Sequence, residues 1–183
     1  MSILRRIAML PLATLMPAFA GESHWPAASA PAVPDADGYA VIANAALPPT
    51  RQSVYKAVFD ATQAAAEPGK LVPALNMAGS ELNALAASHV PLANAHFAVV
   101  FHGAAMIGIL RDEAYRAKFG IANPNLDAIR TMKAAGVEFF VCGQNLAADN
   151  VDPATLVPEV KVASDALLVL MTYQNRGYAL MSF

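Results

Sequence analysis

Five short apolar runs recur along residues 54–183, separated by longer segments of mixed apolar and polar character. Continuous apolar runs of this length are typical of strands buried on both faces, as in a parallel sheet. The pattern predicts strands at residues 54–59, 96–101, 137–141, 160–162 and 178–183.

Between the first three strands, apolar residues recur at the spacing of a helix. Leucines at positions 71, 75, 82 and 85 predict a helix over residues 70–88. Shorter helical pieces are predicted at residues 105–110 and 112–118. After the third strand, Asp152-Pro153 combines a capping residue with proline and predicts a single short turn.

Two more helices are predicted from their capping residues. Asn123 precedes Pro124 at the start of one helix, and Gly136 ends it. Ser164 can cap a second helix over residues 165–176. The resulting order is β-α-β-α-β-(short α)-β-α-β. Such alternation predicts an α/β fold with a mainly parallel sheet and helices on both faces.

The first twenty residues have the pattern of a secretory signal peptide. Arg5 and Arg6 form a positive region, residues 7–19 are uncharged and mostly apolar, and Ala18-Phe19-Ala20 is a small-x-small cleavage site. The apolar run is too short for a comfortable membrane span, and an uncleaved amphipathic helix is the alternative. We therefore expect an exported, periplasmic protein, by either the Sec or the twin-arginine route.

Residues 21–50 form a Pro/Ala-rich extension before the domain at residues 51–183. The prolines among residues 21–37 predict an extended, weakly ordered linker. Residues 39–42 are a short apolar patch, which either docks on the domain or a neighbouring subunit or is simply part of the tail.

Composition excludes several classes of function. The formal net charge is −2 and basic residues are scattered, so no surface for nucleic acid is predicted. A single cysteine excludes a disulfide within the chain and a multi-cysteine metal site, and the histidines have no metal-ligand spacing with it. Neither GxGxxG nor GxxxxGK[ST] is present, so no cofactor is expected. The longest apolar run after the signal peptide is residues 166–173, too short to span a membrane.

Candidate chemistry lies where the first three strands end. Asp60, His102 and Cys142 follow those strands, and Gly103 and Gly143 come directly after the last two. Ligands of open parallel sheets bind beyond the carboxyl ends of the strands, and glycine allows the backbone to turn sharply and a ligand to approach. If the second and third strands are neighbours, about 4.8 Å apart, His102 and Cys142 can share one pocket. A thiol beside an imidazole is a useful nucleophile.

Each candidate also has a structural interpretation. A lone cysteine is often a small buried hydrophobe, and Asp60 is most simply a cap or turn residue. His102 alone is more often a hydrogen-bonding residue than a catalyst. The amides of Gln144, Asn145 and two asparagines seven residues apart on one helical face, Asn76 and Asn83, are either pocket donors or solvated surface.

Seven segments in order resemble the DsrE/DsrF-like family, and more narrowly its exported branch. The more specific ones are Phe-His-Gly at residues 101–103 and Cys-Gly-Gln at residues 142–144. The others are residues 55–60, 118–120, 123–125, 136–137 and 174–179. The resemblance covers about residues 53–183.

The resemblance implies a three-layer α/β/α fold with a five-stranded parallel sheet, and a homo-oligomer, often a trimer or hexamer. In sulfur-relay members of the family, a cysteine at this strand end carries sulfur as a persulfide, and that position is Cys142. The best-known relay members are cytoplasmic and work with partner proteins, whereas this chain has a predicted signal peptide.

Three functions follow as hypotheses. In the first, the protein is a periplasmic sulfur carrier or sulfurtransferase in which Cys142 accepts sulfane sulfur from a donor protein or small compound. His102 activates or orients the thiol, Gly103 and Gly143 give access, and Asp60, Gln144 and Asn76 complete the pocket. In the second, the same pocket binds a ligand or protein without catalysis, and Cys142 is packing. In the third, the chain is a purely structural oligomer.

Overall fold

A computed structural model describes residues 24–183, and the predicted signal peptide lies outside them. Its centre is a five-stranded sheet in which every neighbouring pair is parallel, with the spatial order β4-β3-β2-β1-β5. The strands are β1 (Tyr55–Ala61), β2 (Ala95–Phe101), β3 (Glu138–Cys142), β4 (Val160–Ala163) and β5 (Ala179–Ser182). The predicted parallel sheet is confirmed, and β2 and β3 are neighbours.

Helices cover both faces of the sheet, as predicted. Among the described residues, the α-helices are α1 (Pro73–Ala87), α2 (Asp112–Phe119), α3 (Leu126–Ala134), α4 (Gly143–Ala148) and α5 (Ala166–Asn175). Buried side chains of α1 and α3 join a large apolar cluster with one face of the central strands. Helix α5 packs on the opposite face, where its buried residues join a smaller cluster.

Strand alternation explains how one sequence supplies both clusters. Phe59 and Phe101 face the large cluster, whereas Val58 and Val100, one residue earlier in each strand, face α5. Because both faces of β1 and β2 are covered, these strands read as continuous apolar runs rather than as an alternation of apolar and polar residues.

Two local predictions differ from the structure, and one helix was not predicted. Asn123 does not cap a helix, because α3 begins after Asn125, and the Asn123 side chain instead binds the backbone oxygens of Gly108 and Leu110. The cap of α5 is Asp165 rather than Ser164. Helix α4 has no counterpart among the predicted helices, since six residues are too few for an amphipathic period to be recognised.

The N-terminal extension is docked on the domain, in contrast to the predicted weakly ordered linker. Ser29 pairs with Tyr39, and Val33 between them is fully buried in the large cluster. The Asn83 side chain of α1 binds the backbone of Ala32 and Val33 at 2.9 and 2.8 Å. Residues 29–39 therefore form the docked part, whereas residues 41 and 42 of the predicted apolar patch are exposed.

Candidate functional site

The carboxyl ends of β1, β2 and β3 bring Asp60, His102 and Cys142 to one face of the sheet. Asp60 lies two residues after Val58 and His102 two residues after Val100, and both valines face α5. Cys142 belongs to the same α5-facing cluster. Because side chains two residues apart in a strand point to the same face, the three polar groups line the edge beside the start of α5.

Asp60 and His102 form a close pair. The Nε2 atom of His102 lies 2.6 Å from Oδ1 of Asp60, and their side chains are 22% and 18% exposed. This bond occupies one ring nitrogen and orients the imidazole, so Nδ1 is the nitrogen that remains for exchange of a proton. The structural interpretation of Asp60 as a cap or turn residue does not hold, because Asp60 lies within β1 and pairs with the histidine.

Cys142 ends β3 and is 4% exposed. It belongs to the buried apolar cluster formed by the sheet and α5, which also includes Ala166 and Leu170. The thiol also donates to Asp165, with Sγ 4.0 Å from Oδ2. Among residues 24–183, no hydrogen bond joins His102 to Cys142, so the edge holds two neighbouring pairs, Asp60 with His102 and Cys142 with Asp165.

The two glycines after the strands have different structural roles. Gly103 adopts a φ of 57°, which few other residues accept, and its N–H donates to Oδ1 of Asn145 at 3.2 Å. A cavity of about 410 Å³ opens beside it, with Lys118 and Asp149 at its wall. A Cβ atom on Gly143 would lie 2.5 Å from the backbone oxygen of Ala163. Gly143 therefore allows close packing against the end of β4 rather than access for a ligand.

The predicted amide residues divide between two places. Gln144 lies at the edge, and its Nε2 donates to the backbone oxygen of Ser164 at 3.1 Å. Asn76 is committed to the docked N-terminal segment, because its Nδ2 donates to Oδ2 of Asp37 at 2.7 Å and its Oδ1 accepts the Asp37 N–H. Asn83 is fully buried in the same interface. The face shared by Asn76 and Asn83 thus binds the chain's own extension and is neither pocket nor solvated surface.

Asp165 is the site residue that sequence reasoning missed. It follows β4 and precedes an apolar helix, and in a parallel sheet the helix after a strand begins at the carboxyl edge. That position could have placed Asp165 near Cys142 before the structure was known. Ser164, directly before it, is an equally good capping residue, so the sequence alone does not show which of the two caps α5.

The assembled groups suit proton transfer and nucleophilic chemistry. Asp60 with His102 supplies an oriented imidazole, and Cys142 supplies a thiol one strand away.

Within residues 24–183, no three histidine, cysteine or acidic side chains are grouped as metal ligands. None of the helices in that range has both the length and the hydropathy that a membrane span needs.

Comparisons with known proteins agree with this architecture. A family model described as the DsrE/DsrF-like family matches residues 53–183. A structure of MTH1491, a protein of unknown function from Methanobacterium thermoautotrophicum, is 19% identical with a TM-score of 0.51, and covers 70% of this chain and 99% of its own. The ychN protein from E. coli is 16% identical with a TM-score of 0.51, and covers 71% and 100%. At these identities the two structures share the fold. No curated protein matches the chain.

Proposed function

Since the chain belongs to the DsrE/DsrF-like family, we propose that it carries sulfane sulfur as a persulfide on Cys142. The observation that supports this most is the position of the thiol. The only cysteine of the chain stands at the carboxyl end of β3, on the sheet face that also carries the Asp60–His102 pair. A carrier needs one nucleophilic thiol, and a single cysteine cannot be lost to a disulfide within its own chain.

Loading takes place by transfer of one sulfur atom. The Cys142 thiolate attacks the outer sulfur of thiosulfate, a new S–S bond forms, and the S–S bond of thiosulfate breaks to release sulfite. Polysulfide reacts in the same way and leaves as a polysulfide one sulfur shorter. In discharge, an acceptor thiolate attacks the outer sulfur of the persulfide and the Cys142 thiolate leaves. Because Cys142 is 4% exposed, the donor that fits this site best is a small sulfur compound.

His102 is the proton acceptor in this scheme. Asp60 binds Nε2 and holds the ring, and Nδ1 takes up the proton that leaves the thiol. The carboxylate stabilises the imidazolium that results, and the proton returns when the sulfur has been passed on. Asp60 therefore orients the base rather than contacting the sulfur.

The same proposal includes where the protein is located and how it assembles. Residues 1–20 direct export to the periplasm and are removed there. The chain then assembles as a homo-oligomer, a trimer or a hexamer. Three large apolar side chains on the outer face of α5 are more than half exposed in the single chain and support such an assembly: Leu167, Leu168 and Met171. Sedimentation of the mature protein measures its mass, and a monomer at micromolar concentration would contradict this part.

Mass spectrometry tests the sulfur chemistry. The mature protein is incubated with thiosulfate or polysulfide, separated from the donor and weighed intact under non-reducing conditions. We expect a product that is one sulfur atom heavier and that dithiothreitol reverses. The Cys142→Ser variant, which is close in shape, should fold and stay unmodified. An unmodified wild-type protein, also after incubation in cell extract that contains partner proteins, would refute the proposal.

A second function has its own supporting observation. Cys142 belongs to the buried apolar cluster beneath α5 and is nearly inaccessible, as expected for a cysteine that fills the core. In that case the edge is a binding module without catalysis, and the Asp60–His102 pair contacts a ligand or protein. If Cys142→Ser leaves every binding activity unchanged and the wild type never carries sulfur, the module is the better account.

A further inference from the structure

Asp165 stands between the thiol and the first turn of α5. Its Oδ1 accepts the N–H groups of Leu167 and Leu168 at 2.8 and 3.1 Å, the hydrogen bonds of a helix N-cap. Its Oδ2 lies 4.0 Å from Sγ of Cys142 and accepts the thiol. The two oxygens of one carboxylate thus have separate partners, one in the helix and one in the candidate site.

The separation between Asp165 and Cys142 is set by the backbone on both sides. Gly143, the residue after Cys142, lies against the oxygens of Ala163 and Ser164, which directly precede Asp165. Gln144 donates from its side chain to the same Ser164 oxygen. The capping bonds keep the carboxylate from rotating away. Asp165 and Cys142 are therefore held close together by the packing of Gly143 against the end of β4 and by the capping bonds of the Asp165 carboxylate.

We propose that Asp165 is a positioning residue that keeps Cys142 in the neutral thiol form until a sulfur donor reaches it. The inference rests on the proposed function and adds a residue that regulates the reactivity of Cys142. A thiol donates to a carboxylate, whereas a thiolate at the same position is repelled by it. Asp165 makes and breaks no covalent bond. Its effect is to slow the reactions of a resting cysteine in an oxidising compartment, where uncontrolled oxidation would consume the carrier.

Other titratable groups lie on the elements around Cys142. The Asp60–His102 pair follows the sheet edge on β1 and β2, and Lys161 comes from β4. Tyr173 of α5 lies in the same apolar cluster, with its hydroxyl bound to Glu138. None of the four accepts the thiol in the described part of the chain. The Asp165 carboxylate is the group in hydrogen-bonding contact with the sulfur.

Alkylation of Cys142 with iodoacetamide tests the inference without any sulfur donor. In this reaction the thiolate displaces iodide to form a thioether, and the thiol proton passes to the buffer. Asp165→Asn and Asp165→Ser keep a capping side chain and remove the charge, and Asp165→Ala removes both. Asp152→Asn is the matched control, because Asp152 caps the turn at Pro153–Thr155 through the Ala154 N–H.

We expect Asp165→Asn and Asp165→Ser to be alkylated at least about fivefold faster than wild type. That factor corresponds to removing one unit charge 4 Å away even at the dielectric constant of bulk water. Asp152→Asn should match wild type, and amide hydrogen exchange at Leu167 and Leu168 should stay protected in Asp165→Asn.

Two results would overturn the inference. One is equal alkylation of wild type and Asp165→Asn across the pH range. The other is acceleration confined to Asp165→Ala, which would show that Asp165 acts only by capping the helix. Because no sulfur donor is present, these results leave the persulfide proposal standing. Conversely, the wild-type protein could fail to accept sulfur while Asp165→Asn is alkylated faster than wild type. That result would refute the proposed function and leave the role of Asp165 standing.

Discussion

Gly143 shows how one residue joins the candidate site to the packing of the sheet. It is the first residue of α4, directly after Cys142, and it has no side chain at the point where β4 ends. A Cβ atom there would lie 2.5 Å from the Ala163 backbone oxygen, a contact that requires the backbone to shift. The need for glycine is thus steric crowding and not an unusual backbone angle.

The first prediction is that Gly143→Ala destabilises the protein by about 1–3 kcal/mol, the usual cost of overpacking. Urea unfolding followed by circular dichroism measures it. Gly69→Ala is the control, because the nearest atom to a Cβ there is Ile121 Cδ1 at 4.0 Å. If the two alanine variants are equally stable, the close approach at Gly143 is not a constraint.

At the residue scale, the sequence predicted which residues reach the edge but not how they pair. Asp60, His102 and Cys142 each follow an apolar run, and parallel strands end at the same edge. The 2.6 Å bond between Asp60 and His102 depends on β1 and β2 being neighbours, and strand order cannot be read from periodicity. The contact between Cys142 and Asp165 joins residues 23 apart through β4, and no local pattern signals it.

Helix α5 is the element on which the site depends most, because among residues 24–183 it is the helix that joins Cys142 in the smaller cluster. Near its end, Tyr173 donates its hydroxyl to Oε1 of Glu138 at 2.7 Å and so ties the helix to β3. Burial, and then the bond to the Glu138 carboxylate, raise the pKa of the Tyr173 phenol well above its ordinary value. The phenol therefore stays protonated, and the tie is intact, over the whole neutral range.

The second prediction concerns this tie. Tyr173→Phe should lower the free energy of unfolding by about 1–2 kcal/mol, the contribution of a hydrogen bond to a charged group near the surface. Unfolded tyrosine ionises near pH 10, whereas the folded phenol keeps its proton, so wild-type stability should fall as pH rises above about 10. Urea midpoints measured from pH 7 upward should show that fall in wild type and a weaker one in Tyr173→Phe.

Tyr178→Phe is the control for this series, since it leaves the bond between Tyr173 and Glu138 in place. Its stability should decline with pH as steeply as that of wild type. Parallel curves for wild type and Tyr173→Phe above pH 10 would show that the Tyr173 phenol ionises in the folded protein near its ordinary pKa.

The docked N-terminal segment is a second element whose position depends on few side chains. Asn83 is fully buried in α1 and binds the segment through four hydrogen bonds, two accepted from Ala32 and Val33 and two donated to Val33 and Asp37. Buried polar groups of this kind are costly when one partner is removed.

The third prediction is that Asn83→Ala costs about 1–3 kcal/mol, because it leaves buried N–H groups of the segment without an acceptor. Amide hydrogen exchange at Val33 should accelerate in the same variant. Asn76→Ala removes bonds to the exposed Asp37 of the same segment and should cost less than about 1 kcal/mol. Full protection of Val33 in Asn83→Ala would contradict this role.

At the scale of elements, prediction succeeded where tertiary burial leaves a local signal. Strands β1 and β2 are apolar because both of their faces are covered, whereas every residue of β5 is exposed. Helix α4 gave no such signal because it has six residues and only Leu146 is buried. The docking of residues 29–39 was not predicted, since a Pro/Ala-rich segment has no period and its partner, Asn83, is polar. Polar residues in buried interfaces are recognised only once the neighbouring segment is known.

At the scale of the whole molecule, the layers that cover the two faces of the sheet differ in thickness. In the described part of the chain, the large cluster lies under α1 and α3 together with the docked segment, whereas α5 is the one helix of the smaller cluster that contains Cys142. The outward side chains Leu167, Leu168 and Met171 leave α5 apolar on its solvent side as well. A helix that is apolar all round is normally buried, which is why we propose that the mature protein is an oligomer. The site thus lies on the thinner face, under one helix.

The measurement that tests the central claim most directly is the mass of the peptide that contains Cys142. Trypsin cuts after Lys133 and Lys161 and releases residues 134–161, which include the only cysteine of the chain. After incubation of the mature protein with thiosulfate or polysulfide and blocking with iodoacetamide, we predict that this peptide carries one additional sulfur atom. The addition should disappear with dithiothreitol. A peptide that is alkylated directly on Cys142, with no additional sulfur under any donor, would contradict the assignment of this protein as a sulfur carrier.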